Sequence, residues 1–173
     1  MKGMETKVEI EKKFEIKYLP SNLEQYKKKE IEQGYLCESP VVRIRKSNAD
    51  YILTYKSMFG ISKQMGKEAN VCNEIEVLLD EKGFAHLKNK IDGHLIEKTR
   101  YLVPLTNQLT AELDIFHGYL EGLKFVEVEF DSEEKASEFC PPDWFGKDVT
   151  FDKRYANKNL AMVDSFSDMQ YND

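Results

Sequence analysis

The chain is poor in the residues that bind soft metals or exchange disulfides. It has three histidines and three cysteines in 173 residues. His86, His94 and His117 stand apart, none with a second histidine at ligand spacing, and Trp144 after Pro141-Pro142 reads as packing. Cys37, Cys72 and Cys140 are odd in number and widely spaced. That excludes a zinc pattern and a disulfide framework, and it suits free thiols in a reducing cytoplasm. Long apolar runs are missing too. Nothing approaches the roughly 20 residues of a membrane-spanning helix, and residues 1–14 hold no signal-peptide core. Positive charge is in deficit, 25 Lys and Arg against 31 Asp and Glu. A net charge of −6 argues against nucleic acid or an anionic membrane as the main partner, although a local basic site can sit inside an acidic protein. No repeat, linker or low-complexity tract interrupts the chain.

What is there suffices for a core. Apolar residues make up 41% and aromatics 12%, while the charged fraction of 32% is high. Residues 1–173 read as one domain, ordered over about 5–164 with a frayed polar tail over 165–173. Period-two alternation predicts strands at Val8–Tyr18, Val41–Lys46, Tyr51–Ser57, Glu74–Leu79, Glu97–Pro104, Leu109–Phe116 and Leu123–Phe130. Ser21 is expected to cap a short helix through Leu23, Tyr26 and the lysines after it, which Gln33-Gly34-Tyr35-Leu36 ends. Asp80 is expected to cap a helix carrying Phe84, Leu87 and Ile91. Asp131 with Glu134 reads as a capping box, and a last helix is expected at Asn157–Asp164. Met58–Asn73 is the expected long loop.

One face of each strand is ionised. It reads Glu9, Glu11, Lys13; Arg43, Arg45; Thr54, Lys56; Glu74, Glu76; Lys98, Arg100; Glu112, Asp114; Glu127, Glu129. The opposite face is apolar, as in Val8, Ile10, Phe14 or Val126, Val128, Phe130. For one strand alone, a solvated sheet face is the ordinary reading. The joint pattern departs from it, because like charges two residues apart, about 7 Å, repel by about 2 kcal/mol at an effective dielectric near 20. Carboxylate pairs beside Arg and Lys pairs suit a site that holds a hard divalent cation together with phosphate oxygens.

These residues resemble the CYTH superfamily, the triphosphate tunnel metalloenzymes. The likeness rests on Glu9-x-Glu11-x-Lys13 and on ordered blocks that run through Gln33-Gly34-Tyr35-Leu36, Val42-Arg43-Ile44-Arg45, Leu53-Thr54-Tyr55-Lys56 and Glu74-Ile75-Glu76. Glu97-Lys98-Thr99-Arg100-Tyr101, Ala111-Glu112-Leu113-Asp114, Val126-Glu127-Val128-Glu129-Phe130 and the segment Asp148 to Asn157 continue it. The resemblance implies an α+β fold: an eight-stranded antiparallel barrel with a charged lumen and helices packed outside. It also implies action on triphosphate-bearing substrates with Mg²⁺ or Mn²⁺. By the same likeness Glu9, Glu11 and Glu129 hold metal, with Glu127 and Asp114 as further or water-mediated ligands. Lys13, Arg43, Arg45, Lys56, Lys98, Arg100 and Arg154 bind phosphates, with Arg154 closing one tunnel end. Glu74, Glu76 and Glu112 are further tunnel carboxylates, and Glu11, Lys13 and Glu129 are the residues placed nearest the chemistry. Hydrolytic members carry an arginine just before the central acidic pair, where this chain has Val71-Cys72-Asn73; Lys63 or Lys67 is the expected substitute.

The expected activity is hydrolysis of a terminal phosphoanhydride, with inorganic triphosphate as substrate, one metal bridging phosphates and a second activating water. Class IV adenylate cyclase, thiamine triphosphatase and a non-catalytic polyphosphate-binding module are the alternatives. The expected protein is a cytoplasmic monomer or homodimer that binds neither nucleic acid nor membrane.

Overall fold

A computed structural model describes residues 4–62 and 66–171. Nine strands are found among them: β1 Met4–Ile16, β2 Lys27–Glu38, β3 Val41–Ser47, β4 Asp50–Ser57, β5 Asn70–Leu79, β6 Asp92–Pro104, β7 Thr110–Phe116, β8 Lys124–Glu129 and β9 Phe145–Asp148. Helices are short: α1 Glu81–Lys88, α2 Glu133–Ser137, α3 Asn157–Leu160 and α4 Phe166–Tyr171. No helix is long and apolar enough to cross a membrane among the described residues.

Hydrogen bonding runs in the order β5-β4-β3-β2-β6-β7-β8-β1, and β5 pairs again with β1, so eight antiparallel strands close into a barrel. β1 makes the closure by changing partners along its length. Met4–Glu11 pairs with β5, Glu11–Phe14 pairs with β8, and beyond that β9 joins as a ninth strand. Closure removes the exposed edges that an open sheet would present. The ionised face points inward and the apolar face outward, the reverse of a small barrel filled with apolar side chains.

The apolar residues therefore pack in two places. One core lies outside the barrel wall, where Ile10, Phe14, Val71, Val103, Leu113, Val126 and Val128 meet Phe130, Ala136 and Phe145. Phe14 and Phe145 rings lie 5.1 Å apart there. The second core fills one end of the barrel. Tyr35, Ile96, Phe116 and Phe125 continue the inward-facing registers, and Leu120, Leu160, Ala161 and Met169 cover them. α1 packs separately on β3 and β4, with the Phe84 and Tyr51 rings 5.3 Å apart.

Four local expectations change. The helix after Ser21 is only a 3₁₀ turn, Leu23–Gln25, and Lys27 to Lys29 already belong to β2, opposite Arg100 to Leu102 of β6. Barrel pairing overrides the helical preference of a lysine run. Gln33-Gly34-Tyr35-Leu36 is strand interior, not a breaker; Gly34 is needed because a Cβ there would meet Ile91 at 2.6 Å. Ser132, not Asp131, caps α2 by accepting from the Lys135 N–H, while Asp131 pairs with the Lys135 ammonium at 2.6 Å. The tail past residue 164 is not frayed throughout: α4 buries Met169 and packs Phe166 on the plug. The turn at Asn48 and the Asp80 cap on the Gly83 N–H follow expectation.

Candidate active site

Alternation along each strand brings the charged blocks onto the wall of one cavity of about 490 Å³. Glu9, Glu11, Lys13, Arg43, Arg45, Lys56, Glu74, Glu76, Lys98, Arg100, Glu112, Glu127 and Glu129 all line it. No histidine does among the described residues.

The cations fall into two groups. On β3 and β4, Arg45 meets Glu76 at 2.9 Å, Arg43 donates to Thr54 Oγ1 at 3.0 Å, and Lys56 reaches Glu9 at 2.5 Å and Glu74 at 3.0 Å. The Nε atoms of Arg43 and Arg45 are buried without a hydrogen-bond acceptor. Such an orphan donor costs about 1–3 kcal/mol, so a ligand that supplies acceptors is favoured there. Burial, with Arg43 alongside, lowers the Arg45 pKa to about 10.

On β6, Arg100 places Nε and Nη2 at 2.6 Å from the two oxygens of Asp114, a bidentate pair. It also reaches Glu127 at 2.7 Å and touches Glu112. Lys98 holds Asp114 at 2.7 Å over the Phe116 ring. Burial lowers Lys98 to about 8, helped by Arg100 and opposed by Asp114. Lys13 donates to the Tyr155 carbonyl at 2.7 Å, meets Glu127 at 3.0 Å and sits 4.5 Å above the Phe125 ring. Burial works against its charge, yet Glu127 and Glu11 raise its pKa overall.

The carboxylates differ in how far they are neutralised. Burial pushes Glu127 up, but Lys13, Arg100 and Lys98 win and hold it well below the usual range. Glu9 is lowered likewise, Lys56 overcoming its burial. Glu11 is the exception. Unlike Glu9, Glu74, Glu76, Glu112, Glu127 and Glu129, it has no Lys or Arg within ion-pair distance among the described residues; its contact is the Asn70 amide at 3.4 Å. Burial, then repulsion from Glu127 and Glu9, pushes its pKa up to about 7.

Two expected roles do not suit their positions. Asp114 is fully buried and lies behind the wall, both oxygens taken by Lys98 and Arg100, so it anchors those cations rather than facing a metal. Arg154 turns away from the lumen, pairs with Asp152 at 2.7 Å, and lines a different surface pocket. Its neighbour Lys153 lines the cavity instead, with Thr150, Asn157 and Lys158. That end of the cavity is bounded by the strap 150–158, which the Lys13–Tyr155 bond and a 3.4 Å contact from Lys98 to Asn157 tie down. Lys67 is exposed and not on the wall, and Lys63 lies outside the described residues. Where an arginine was expected, the Cys72 thiol rests 3.3 Å from Glu9, with its pKa raised to about 12 by burial and Glu9.

Sequence reading missed Lys7, Lys29, Gln33 and Tyr35, which also line the cavity. Lys7 extends the period of Glu9, Glu11 and Lys13 by one step and was hidden by starting the strand at Val8. The other three are the inward face of β2: Lys29 was concealed in the expected helix, and Gln33 and Tyr35 in the segment expected to end it.

Divalent cations fit this donor set. Glu9, Glu11, Glu127 and Glu129 offer hard oxygens, and Glu11 is a carboxylate held at a potential that favours positive charge. No group of three carboxylate, His or Cys side chains is already gathered around one point among the described residues. The carboxylates are instead turned toward lysines and arginines.

No family profile matches the chain. An inorganic triphosphatase of Nitrosomonas europaea is 40% identical over 157 residues, covering 89% of this chain and 97% of that protein. Another inorganic triphosphatase, from Acetivibrio thermocellus, is 36% identical over 135 residues, 75% of this chain and 78% of that protein. A solved structure of an inorganic triphosphatase superposes with a TM-score of 0.66 at 37% identity, covering 91% of this chain and 96% of that one. A putative adenylate cyclase from Bacillus halodurans shares the fold at 16% identity, with a TM-score of 0.51 and coverage of 91% and 93%. A closed barrel with a charged lumen, matched at this identity over most of its length, places the chain in the CYTH superfamily of triphosphate tunnel metalloenzymes.

Proposed function

We propose that the protein is an inorganic triphosphatase that uses Mg²⁺ or Mn²⁺ to release phosphate from triphosphate in a reducing cytoplasm. The observation that carries this reading is the pair of buried, unsatisfied guanidinium N–H donors at Arg43 and Arg45, set in a cavity whose other wall is acidic. A chain of phosphates supplies the acceptors those donors lack. Arg43, Arg45 and Lys56 would hold one stretch of the polyanion, and Lys98 and Arg100, aimed by Asp114, the next. Lys13 joins them from the strap end. Glu9, Glu11, Glu127 and Glu129 would hold the divalent cation, which supplies Lewis-acid polarisation of phosphate oxygens and an acidified water when bound. The deeper wall, where Arg43, Lys98, Arg100 and Glu127 are buried, limits screening by water and so strengthens these contacts.

The test is a panel of inorganic triphosphate, ATP and thiamine triphosphate with each metal, assayed for orthophosphate and cyclic AMP. Orthophosphate from inorganic triphosphate, with weaker turnover of the organic substrates, is expected. Cyclic AMP as the main product would make the protein a cyclase, and no turnover with any substrate would leave a binding module. Glu11→Ala should cut kcat/KM by about 100-fold or more, the range for losing one electrostatic contributor to a transition state, while triphosphate binding stays measurable by calorimetry.

A further inference from the structure

Lys7 is not in any of the sequence blocks that mark the site, yet its ammonium lies inside the mouth of the cavity. Its Nζ is 2.7 Å from Glu129 Oε1 on β8 and 3.6 Å from Glu74 Oε1 on β5. One side chain thus bridges carboxylates from two strands, as an oxygen-liganded metal ion would. Glu129 is the cross-strand partner of Glu11 in the β1–β8 register. Two carboxylates facing each other in this way repel. Lys7 neutralises one of them and leaves the other, Glu11, without a cation.

Deeper in the lumen, Arg100, Lys13 and Lys98 are each held by two or more contacts in buried surroundings. Arg100 is held by Asp114, Glu112 and Glu127, and Lys13 by Glu127 and a backbone carbonyl. Lys7 differs, since it and Glu129 are each about half open to solvent, at 46% and 49%. An ion pair that open to water is weakly held and readily displaced.

We infer that Lys7 is a tethered cation standing in for a second divalent ion between Glu129 and Glu74, so that the free enzyme takes one divalent ion, at Glu11, and a second only once Lys7 swings out or is removed. The inference rests on the metal-dependent reading above. It assigns Lys7 a positioning role: it sets the number and strength of metal sites without itself touching the reacting atoms.

The experiment is calorimetric titration of Mn²⁺ into the full chain without substrate, checked by the loss of free-Mn²⁺ signal in electron paramagnetic resonance. Wild type should bind one equivalent. Lys7→Met should bind a second equivalent, or bind the ion about tenfold more tightly, as expected when an internal competitor is removed. Lys7→Arg, which keeps the charge, should return the wild-type isotherm. Lys7→Gln serves as a second neutral variant, and far-ultraviolet circular dichroism of each confirms the barrel. Equal stoichiometry and affinity in wild type, Lys7→Met and Lys7→Gln would overturn the role of Lys7 and leave the metal site standing. No Mn²⁺ binding by any of the proteins would overturn the metal reading, and the inference with it.

Discussion

The two ends of the barrel solve opposite problems. At the strap end the inward registers turn from charge to Tyr35, Ile96, Phe116 and Phe125, and the last cations, Lys13 and Lys98, are tied to the strap by hydrogen bonds. Lys13, Lys98 and Asp114 there all have fixed partners. On the walls away from the strap, Arg43 and Arg45 keep unsatisfied donors, Glu11 has no cation, and Lys7 holds Glu129 only loosely. The difference separates what holds the fold from what awaits a ligand. Neutralised clusters such as Lys98–Asp114–Arg100 make the charged interior tolerable, and on the proposed function the unpaired Glu11 and the unfilled Arg43 and Arg45 donors are where metal and substrate complete the balance.

Asp114→Ala should break the contrast most severely. Removing a carboxylate that holds two buried cations leaves both uncompensated, a loss of about 3–5 kcal/mol. Chemical denaturation should register it even though Asp114 does not line the cavity. A variant as stable as wild type would show that the anchoring role is wrong.

A smaller effect sharpens the contrast at the mouth. The folded pKa of Glu11, about 7, lies above its ordinary value of 4.5. The folded state therefore binds that proton more tightly, so its stabilising contribution is complete below pH 4.5 and lost as pH rises through 7. Without metal, stability should fall by about 1–3 kcal/mol between pH 5 and pH 8 on this account. Glu11→Gln should flatten the slope, and so should saturating Mg²⁺. Melting temperatures across that pH range, with and without metal, give the answer; an identical slope in Glu11→Gln would remove Glu11 as its source.

The smallest effect separates neighbours on the strap. Lys153→Ala should raise the KM for triphosphate a few-fold, on the order of 0.5–1 kcal/mol for a solvent-screened charge. Arg154→Ala, facing away, should leave KM unchanged. The reverse ranking would put Arg154 back in the tunnel.

Much of this was legible in the sequence, and the reasons are specific. The alternation of Glu9, Glu11 and Lys13, repeated on the strands from Arg43 to Glu129, carries both the barrel and the wall composition, because strand geometry maps period two directly onto one face. β2 was obscured because Lys27 to Lys29 read as a polar helix and its inward residues, Ile31, Gln33 and Tyr35, carry no charge. Partner choice is not local information either. Asp114 and Glu127 have the same inward parity, and only the packing of Lys98 and Arg100 shows that one is sealed behind the wall. At the strap, Lys153 and Arg154 are adjacent and both basic. Which of them enters depends on a 3₁₀ turn, Lys153–Tyr155, and on Asp152 capping it.

The partner changes of β1 also tie the site to segments far apart along the chain. β1 pairs with β5, β8 and β9 in turn, and Lys13 donates to a carbonyl 142 residues later. Contacts so distant along the chain close late in folding. A ribosome-bound chain cut short before residue 124 has no β8 to meet the β1 glutamates, whichever other strands have paired. The wall of the cavity is thus complete only once β8 and the strap have both joined β1, and a fragment that lacks either has no whole site.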